Sequence, residues 1–412
     1  MRSSTVWMAP GQVRQAELGL DLQLQKRSWN STAAAFTHRA RIGAQILLCR
    51  CQETWQKKRG RKMKFIHMAD VHLGAEPDAG KKYSGQRKQE IWDSFLGIVN
   101  VCEKERIDFL FIAGDLFHRQ PLMRELKEVN YLFSKLSYTK VVLIAGNHDY
   151  IKKDSYYATF SWADNVFPLF GEQMQCAAFE EYDLGVYGFS YHKREIRQPL
   201  YDTAAAPGKF RHEILLAHGG DEKHIPVKRE KLDALGYDYI AMGHIHKPQT
   251  MGQRAAYAGA LEPIDKNDTG QHGYIKGLCS AQGVRIKFVP CAKREYIHKK
   301  IEVDKDMTNA GLREKIKAII DECGGENLYK LTLTGFRGAE MIFLPNTMDV
   351  YGNILEIQDE TKPFYDLERL VLRNRDNLLG KYIESLQDFE EGSVEQMALY
   401  EGVQALMDTK RG

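Results

Sequence analysis

The chain has 412 residues, with 58 Lys/Arg against 55 Asp/Glu and a formal net charge of +3. That length supports roughly two or three domains, and no apolar run is long enough for a membrane-spanning helix. Seven scattered cysteines, an odd number, exclude a disulfide framework and fit a reducing, cytoplasmic setting, while Cys49-Arg50-Cys51 is too isolated for a zinc site.

The charge is unevenly spread. Residues 1–62 lack a steady apolar period and end in Lys57-Lys58-Arg59-Gly60-Arg61-Lys62. They hold 12 Lys/Arg against 3 Asp/Glu, so residues 63–412 carry 46 basic and 52 acidic groups. The basic balance therefore belongs to the extension. Residues 1–62 read as a disordered or non-native segment, with Met63 as the expected natural start. A basic arm that touches nucleic acid and an Arg-rich transit segment are the alternatives.

Five short apolar runs then predict buried strands, each followed at once by polar groups. Residues 65–69 lead into Asp70-Val71-His72, and a helix is expected over 87–106, with Ile91, Phe95, Ile98 and Cys102 on one face. Residues 109–112 lead into Gly114-Asp115-Leu116-Phe117-His118, and 141–144 into Gly146-Asn147-His148-Asp149. The stretch 151–210 reads as short strands mixed with loops. Residues 214–217 then lead into His218-Gly219-Gly220, and 239–242 into Gly243-His244-Ile245-His246. Residues 256–263 and 284–289 supply later strands. Continuous apolar runs of this length suit sheets covered on both faces, and α/β sheets carry their sites beyond the strand ends. Asp70 and His72 are two apart, as are His244 and His246, so each pair points one way on an extended backbone.

The inventory is carboxylates, imidazoles and one amide. It suits two divalent metal ions side by side, equipment for breaking a phosphoester. One Asp-x-His alone is weak evidence, and Gly-Asn-His-Asp alone could be a turn. Five such pieces after five strands are specific. His67 lies inside the first strand and reads as core; His38, His192, His212, His224, His272 and His298 match no ligand motif and read as structural or surface.

In this combination the chain resembles the calcineurin-like metallophosphoesterases, and within them the SbcD/YhaO-type DNA-repair exonucleases. Asp-Val-His-Leu-Gly at 70–74 with Arg87 resembles that branch's opening motif. Gly-Asp-Leu-Phe-His at 114–118 separates the chain from the protein phosphatases, which carry Gly-Asp-x-Val-Asp-Arg-Gly and then Gly-Asn-His-Glu. Gly-His-Ile-His followed by Lys247-Pro248 fits the same branch, while Ala260 stands where the family has Ser. The resemblance covers roughly residues 63–300. It implies an α/β fold, a four-layer α/β/β/α sandwich over 63–295, then a small α+β capping domain at 296–375 and a helical tail at 376–412.

The resemblance also implies roles. Asp70, His72 and His246 would hold one metal, Asn147, His218 and His244 the other, and Asp115 would bridge them. Mn²⁺ is the expected ion, with Fe²⁺, Zn²⁺ and Mg²⁺ as alternatives. His148 would be the general acid or donor to the scissile phosphate, with Asp149 orienting its imidazole and His118 contacting phosphate or the substrate strand. The activity implied is a two-metal DNA phosphodiesterase, a 3′→5′ exonuclease with endonuclease activity in end processing.

Candidate DNA contacts are Lys81-Lys82 with Arg87-Lys88, where Tyr83 could stack on a base, Lys193-Arg194 with Arg197, and Lys293-Arg294 with Lys299-Lys300; the alternative for each is a solvated charge cluster. In the last third, Ile297–Val303 reads as a strand, Leu312–Ile320 as a helix and 330–335 as a strand. Helices near 376–389 and 393–408 follow, with Leu378, Leu379, Tyr382, Ile383 and Leu386 in one stripe. This stripe could dock on an SMC-like ATPase of the SbcC/YhaN type or pack on the cap. No Gly-x-x-x-x-Gly-Lys-Ser/Thr loop occurs in the chain, so any ATP dependence comes from a separate subunit. A homodimer is a further expectation. Two rival readings stand: a phosphodiesterase for small nucleotides, and a non-catalytic scaffold for the ATPase.

Overall fold

The computed structural model describes residues 62–386, 388–390 and 393–409. The expectations for residues 1–61, His38 included, lie outside the described residues.

In chain order the elements are β1 (Met63–Met68), α1 (Ser84–Glu105), β2 (Phe109–Ala113), α2 (Met123–Ser134), β3 (Lys140–Ile144), α3 (Tyr156–Thr159), β4 (Val166–Pro168), β5 (Gln175–Phe179) and β6 (Leu184–Gly188). There follow β7 (His212–His218), α4 (Arg229–Ala234), β8 (Tyr239–Gly243), β9 (Gln249–Met251), β10 (Ala255–Tyr257), β11 (Gly273–Ser280) and β12 (Gly283–Pro290). The last third holds β13 (Tyr296–Val303), α5 (Asn309–Cys323), β14 (Leu328–Gly338), β15 (Ile354–Asp359), β16 (Lys362–Phe364), α6 (Leu367–Arg373), α7 (Leu378–Ser385) and α8 (Val394–Thr409).

The five motif strands divide between two six-stranded sheets, in the orders β12-β11-β1-β2-β3-β4 and β5-β6-β7-β8-β10-β9. Strands β1 to β4 are mutually parallel, as are β6, β7, β8 and β10. Alternation along each strand then makes two cores. Phe65, Phe109, Phe111 and Val142 meet Val186, Ile214, Leu216 and Ala241 between the sheets. Ile66, Leu110, Ile112 and Leu143 face the other way, onto Ile91, Phe95 and Ile98 of α1 and Leu126, Val129 and Phe133 of α2.

The outer face of the second sheet, with Leu215, Ala217, Ile240 and Met242, is covered by Leu232 of α4 and by Tyr191, Tyr201 and Tyr237. These are the four α/β/β/α layers, the last a thin one built largely of tyrosines. Both faces of each motif strand are thus covered, which is why their apolar runs are unbroken.

Several elements escaped the sequence reading, among them α2, β6 and β11. Helix α2 turns only Leu126, Val129 and Phe133 inward from a polar run. Strand β6 is an interior strand, buried throughout, inside the stretch 151–210. Strand β11 pairs antiparallel with β1, but its glycines and Lys276 interrupt any apolar pattern.

Strands β13, β14, β15 and β16 form a third sheet, all pairings parallel. Leu312, Ile316 and Ile320 of α5 pack on Ile301, Val303, Leu331 and Leu333. In the tail, Leu379 and Ile383 of α7 join Tyr365 and, from α8, Leu399 and Val403. The expected stripe thus packs largely within the tail, while Leu378 is 68% exposed. Among the described residues no helix is long and apolar enough to cross a membrane.

Two expected DNA contacts are instead structural. Arg87 is fully buried. Its Nη1 meets Glu90 at 2.6 Å and Glu262 at 3.5 Å, and its Nη2 donates to the Pro263 carbonyl. A buried carboxylate needs its cation, and α1 supplies it. Tyr83 is buried against Tyr296 and Leu328, where no base could stack. Lys88 is exposed and pairs with Glu76 at 2.8 Å. Replacing Arg87 by Ala leaves Glu262 buried without its cation and should lower stability by about 3–5 kcal/mol, read by urea unfolding. A variant with unchanged stability but weakened DNA binding would restore the surface-contact reading.

Candidate metal centre

The strand-end loops after β1, β2 and β8 turn back on themselves as they converge. Asp70, His72, Asp115 and His244 have φ of 49°, 53°, 50° and 96°. These are left-handed conformations that such residues adopt rarely. The expectation of two side chains on one side of an extended backbone is therefore wrong for both pairs; the turn aims them. The loops are then stitched together, with the Asp70 N–H on the Gly114 carbonyl at 3.2 Å and the His72 N–H on the Asp115 carbonyl at 3.0 Å.

All seven expected ligands meet at one place. His72 Nε2 lies 3.1 Å from His246 Nε2, and Asp70 offers a donor atom within 4.8 Å of both. On the other side Asn147 Oδ1 lies 2.9 Å from His218 Nε2 and 3.1 Å from His244 Nδ1. Asp115 Oδ2 stands between the groups, 4.0 Å from His72 Nε2 and 3.4 Å from His218 Nε2. Asp70, His72, Asp115, Asn147 and His218 are all buried.

The outer nitrogens settle the tautomers, because each faces an acceptor. His218 Nδ1 donates to the Ala113 carbonyl at 2.8 Å, His244 Nε2 to Asp221 Oδ2 at 2.7 Å, and His246 Nδ1 to Asp268 Oδ2 at 2.9 Å. Each inner nitrogen then faces the donor cluster, where a bound metal would take its lone pair. His72, using Nε2 inward, carries its proton on Nδ1, which faces His118 Nδ1 at 3.3 Å.

Electrostatics agree with this donor set. Burial pushes the Asp70 carboxyl up to about 6, against the pull of His218 and His246. Burial acts on Asp115 too, but His218, His72 and His148 outweigh it and hold its carboxyl below the usual carboxylate range. Burial lowers His246 and His218, yet Asp268 and Asp70 around the first, and Asp115 and Asp70 around the second, hold both up to about 9. His72 is pushed well below its ordinary value, by burial first. Without metal, protons on His246 and His218 supply the positive charge that the carboxylates require. Oxygen and imidazole donors converging in a buried pocket fit two divalent cations.

The expected catalytic residues sit beside the donors. The His148 ring lies edge-on to His72, centroids 4.9 Å apart, and stacks on His118 at 5.0 Å. Its Nδ1 donates to the His118 carbonyl at 3.0 Å, which leaves Nε2 free. Asp149 is placed differently from expectation. Its carboxylate accepts from the N–H of Gly146 at 2.8 Å and of Phe117 at 3.1 Å, and from the Tyr157 hydroxyl at 3.1 Å. It clamps two ligand loops and is not hydrogen-bonded to the His148 ring; burial, then Asp115, pushes its carboxyl up to about 7. His67 is core, on the Tyr239 hydroxyl at 2.8 Å.

Asp221 and Asp268 were missed by the sequence reading. Asp221 lies in the loop after β7 and Asp268 in the loop between β10 and β11, and an Asp in a loop is ordinarily a turn residue. His224, read as structural, sits 2.9 Å from Asp221 and joins the Asp221–His244 cluster.

Fold and donor set together define a four-layer α/β/β/α domain whose strand ends gather donors that fit two divalent cations. Residues 63–248 match the calcineurin-like phosphoesterase family, and the chain carries a calcineurin-like metallophosphoesterase domain. It is 29% identical, over 50% of this chain and 58% of the relative, to the DNA double-strand break repair protein Mre11 of Methanocaldococcus jannaschii. It is 27% identical to the uncharacterized metallophosphoesterase YhaO of Bacillus subtilis, over 51% of this chain and 56% of that protein. With the Mre11 of Archaeoglobus fulgidus it shares 23% identity over 82% of this chain and 83% of the relative. The chain thus spans little more than half of the first two relatives.

Close approach at Gly146 tests the site. A Cβ there would run into the Asp115 carboxylate and the His218 ring. Gly146→Ala should retain its far-UV circular dichroism and lose most bound metal, measured by inductively coupled plasma mass spectrometry. Metal content equal to wild type would show that the two loops do not need this contact.

Proposed function

We propose that the chain is a two-metal-dependent DNA phosphodiesterase of end processing, a 3′→5′ exonuclease with endonuclease activity, working as a homodimer beside an SMC-like ATPase. One observation supports this above the rest: the inward-facing ring nitrogens of His72, His218, His244 and His246 converge with Asp70, Asp115 and Asn147. Asp70, His72 and His246 would hold one ion, Asn147, His218 and His244 the other, and Asp115 both. Mn²⁺ suits the mixed donors best, with Fe²⁺, Zn²⁺ and Mg²⁺ as alternatives. Bound there, such a pair acidifies water and neutralises phosphoryl oxygens.

The chain's own groups supply the rest. His148 keeps one nitrogen on the His118 carbonyl and so presents Nε2, the atom for a proton to the leaving oxygen or a hydrogen bond to the scissile phosphate. His118, receiving from His72 at Nδ1, carries its proton on Nε2 and donates to phosphate. Asp149 holds the Gly146 and Phe117 loops in register. We read residues 296–375 as a cap that selects DNA ends and 376–412 as the segment that docks the ATPase. Five free cysteines among the described residues agree with a cytoplasmic setting.

DNA as substrate is supported by relatives named for double-strand break repair. Charge favours a second reading, a small-nucleotide phosphodiesterase. Residues 63–412 carry 46 basic against 52 acidic groups, and DNA affinity is largely phosphate neutralisation. Cations in the expected patches are also paired: Lys88 with Glu76, Arg197 with Glu195, Arg294 with Glu90. The scaffold reading is disfavoured by a complete donor set.

The full chain with Mn²⁺ should degrade end-labelled duplex or hairpin DNA. His148→Ala should lose that activity by at least about 10²-fold while keeping its metal. Turnover of bis-p-nitrophenyl phosphate with no DNA cleavage, even beside a candidate ATPase, would favour the small-nucleotide reading. Asp115→Ala should empty both metal positions; two ions retained by mass spectrometry would overturn its bridging role.

A further inference from the structure

We infer that Asp268 is the positioning residue for His246, and that its loop couples this ligand to the third sheet. The inference rests on the metal-centre reading above. Asp268 Oδ2 collects three donors: His246 Nδ1 at 2.9 Å, the Ile264 N–H at 3.1 Å and the Asp265 N–H at 3.0 Å. An oxygen held by two backbone amides cannot follow an imidazole, so the imidazole follows the oxygen. The proton this fixes on Nδ1 is what frees Nε2 for the metal.

The loop carrying Asp268 hangs between two bodies. On the core side, Arg87 grips the Pro263 carbonyl, and His272 joins the carbonyls of Ala260 at 3.3 Å and Asp268 at 3.1 Å. On the other side, three contacts come from the third sheet. His298 of β13 donates to the Lys266 carbonyl at 2.9 Å, Thr269 bridges Tyr296 of β13, and Lys266 pairs with Glu356 of β15 at 3.4 Å. His218 has no such link through its own outer acceptor, the Ala113 carbonyl, which belongs to β2 inside the two-sheet core. A shift of the third sheet relative to the core therefore reaches His246 and spares His218. The third sheet is in this way a control on one of the two metal positions.

The test is calorimetric Mn²⁺ titration of the full chain, with thermal unfolding alongside. Wild type should bind two ions. Asp268→Ala should weaken one of them by about 10–100-fold and leave the other unchanged. Asp268→Asn keeps an acceptor oxygen and should recover most of the loss. His298→Ala removes only the link to β13 and should weaken the same ion by about fivefold or more at an unchanged melting temperature. If Asp268→Ala fails to fold, Asp268→Asn and His298→Ala carry the test. Wild type binding fewer than two ions sinks the metal-centre reading itself. Wild type binding two and Asp268→Ala matching it overturns the role of Asp268. Asp268→Ala weakened and His298→Ala unchanged overturns the coupling to the third sheet.

Discussion

The close approach of buried carboxylates and imidazoles at the strand ends is the constraint on which the rest depends. His72 and His246 bring two nitrogens to 3.1 Å, and the buried carboxylates of Asp70 and Asp115 stand beside them. Such a cluster is stable only when cations balance it, whether protons on His218 and His246 or divalent metal. Four of the seven donors also sit on left-handed backbone, a conformation worth roughly 1–3 kcal/mol of strain each. The two-sided cores around β1, β2, β7 and β8 are what hold these loops against that strain. Burial on both faces leaves the strands no freedom to slip, so their ends present the loops at fixed register.

Much of this was legible in the linear order of residues, for a physical reason. Strands covered on both faces read as unbroken apolar runs, and the polar group after each is conspicuous by contrast. The donors are thus the easiest part of the site to find. What could not be read is the geometry that aims them. An Asp-x-His pair looks as though it should point one way from an extended chain, while Asp70 and His72 converge through positive φ. No periodicity encodes that. The split of the motif strands between two sheets was equally hidden locally, since β3 and β7 have the same apolar character.

The residues missed or misassigned share a different cause. Asp221 and Asp268 act on His244 and His246 from loops far along the chain, and an isolated Asp in a polar loop has no distinguishing pattern. Arg87 was misread in the opposite sense: a basic residue beside Lys88 looks like surface, yet its neighbours one helical turn away are core. Ile91 and Phe95 lie four and eight positions on, so Arg87 continues their buried stripe. The helical period that predicted the core face contained the answer, and charge alone obscured it. Asp149 follows the same lesson. Adjacency to His148 suggested a partnership, but the chain turns between them, and its carboxylate ties the backbone of its own loop, at Gly146, to that of the loop after β2, at Phe117.

The outer hydrogen bonds of the ligands divide the centre into unequal halves. His218 leans on the Ala113 carbonyl, part of β2 in the interior of the first sheet. That partner is as rigid as the core and shares its fate. His244 and His246 lean on loop carboxylates, Asp221 at 47% and Asp268 at 14% side-chain exposure. Loop partners are drawn from the part of a fold that opens first, so the His218 ring is anchored while the His244 and His246 rings are adjustable. A dinuclear site in which one ligand is pinned by the sheet and others by movable loops can keep its architecture while an ion is gained or lost. Regulation of such a centre does not require moving the strands; it requires only moving what the imidazoles are tied to.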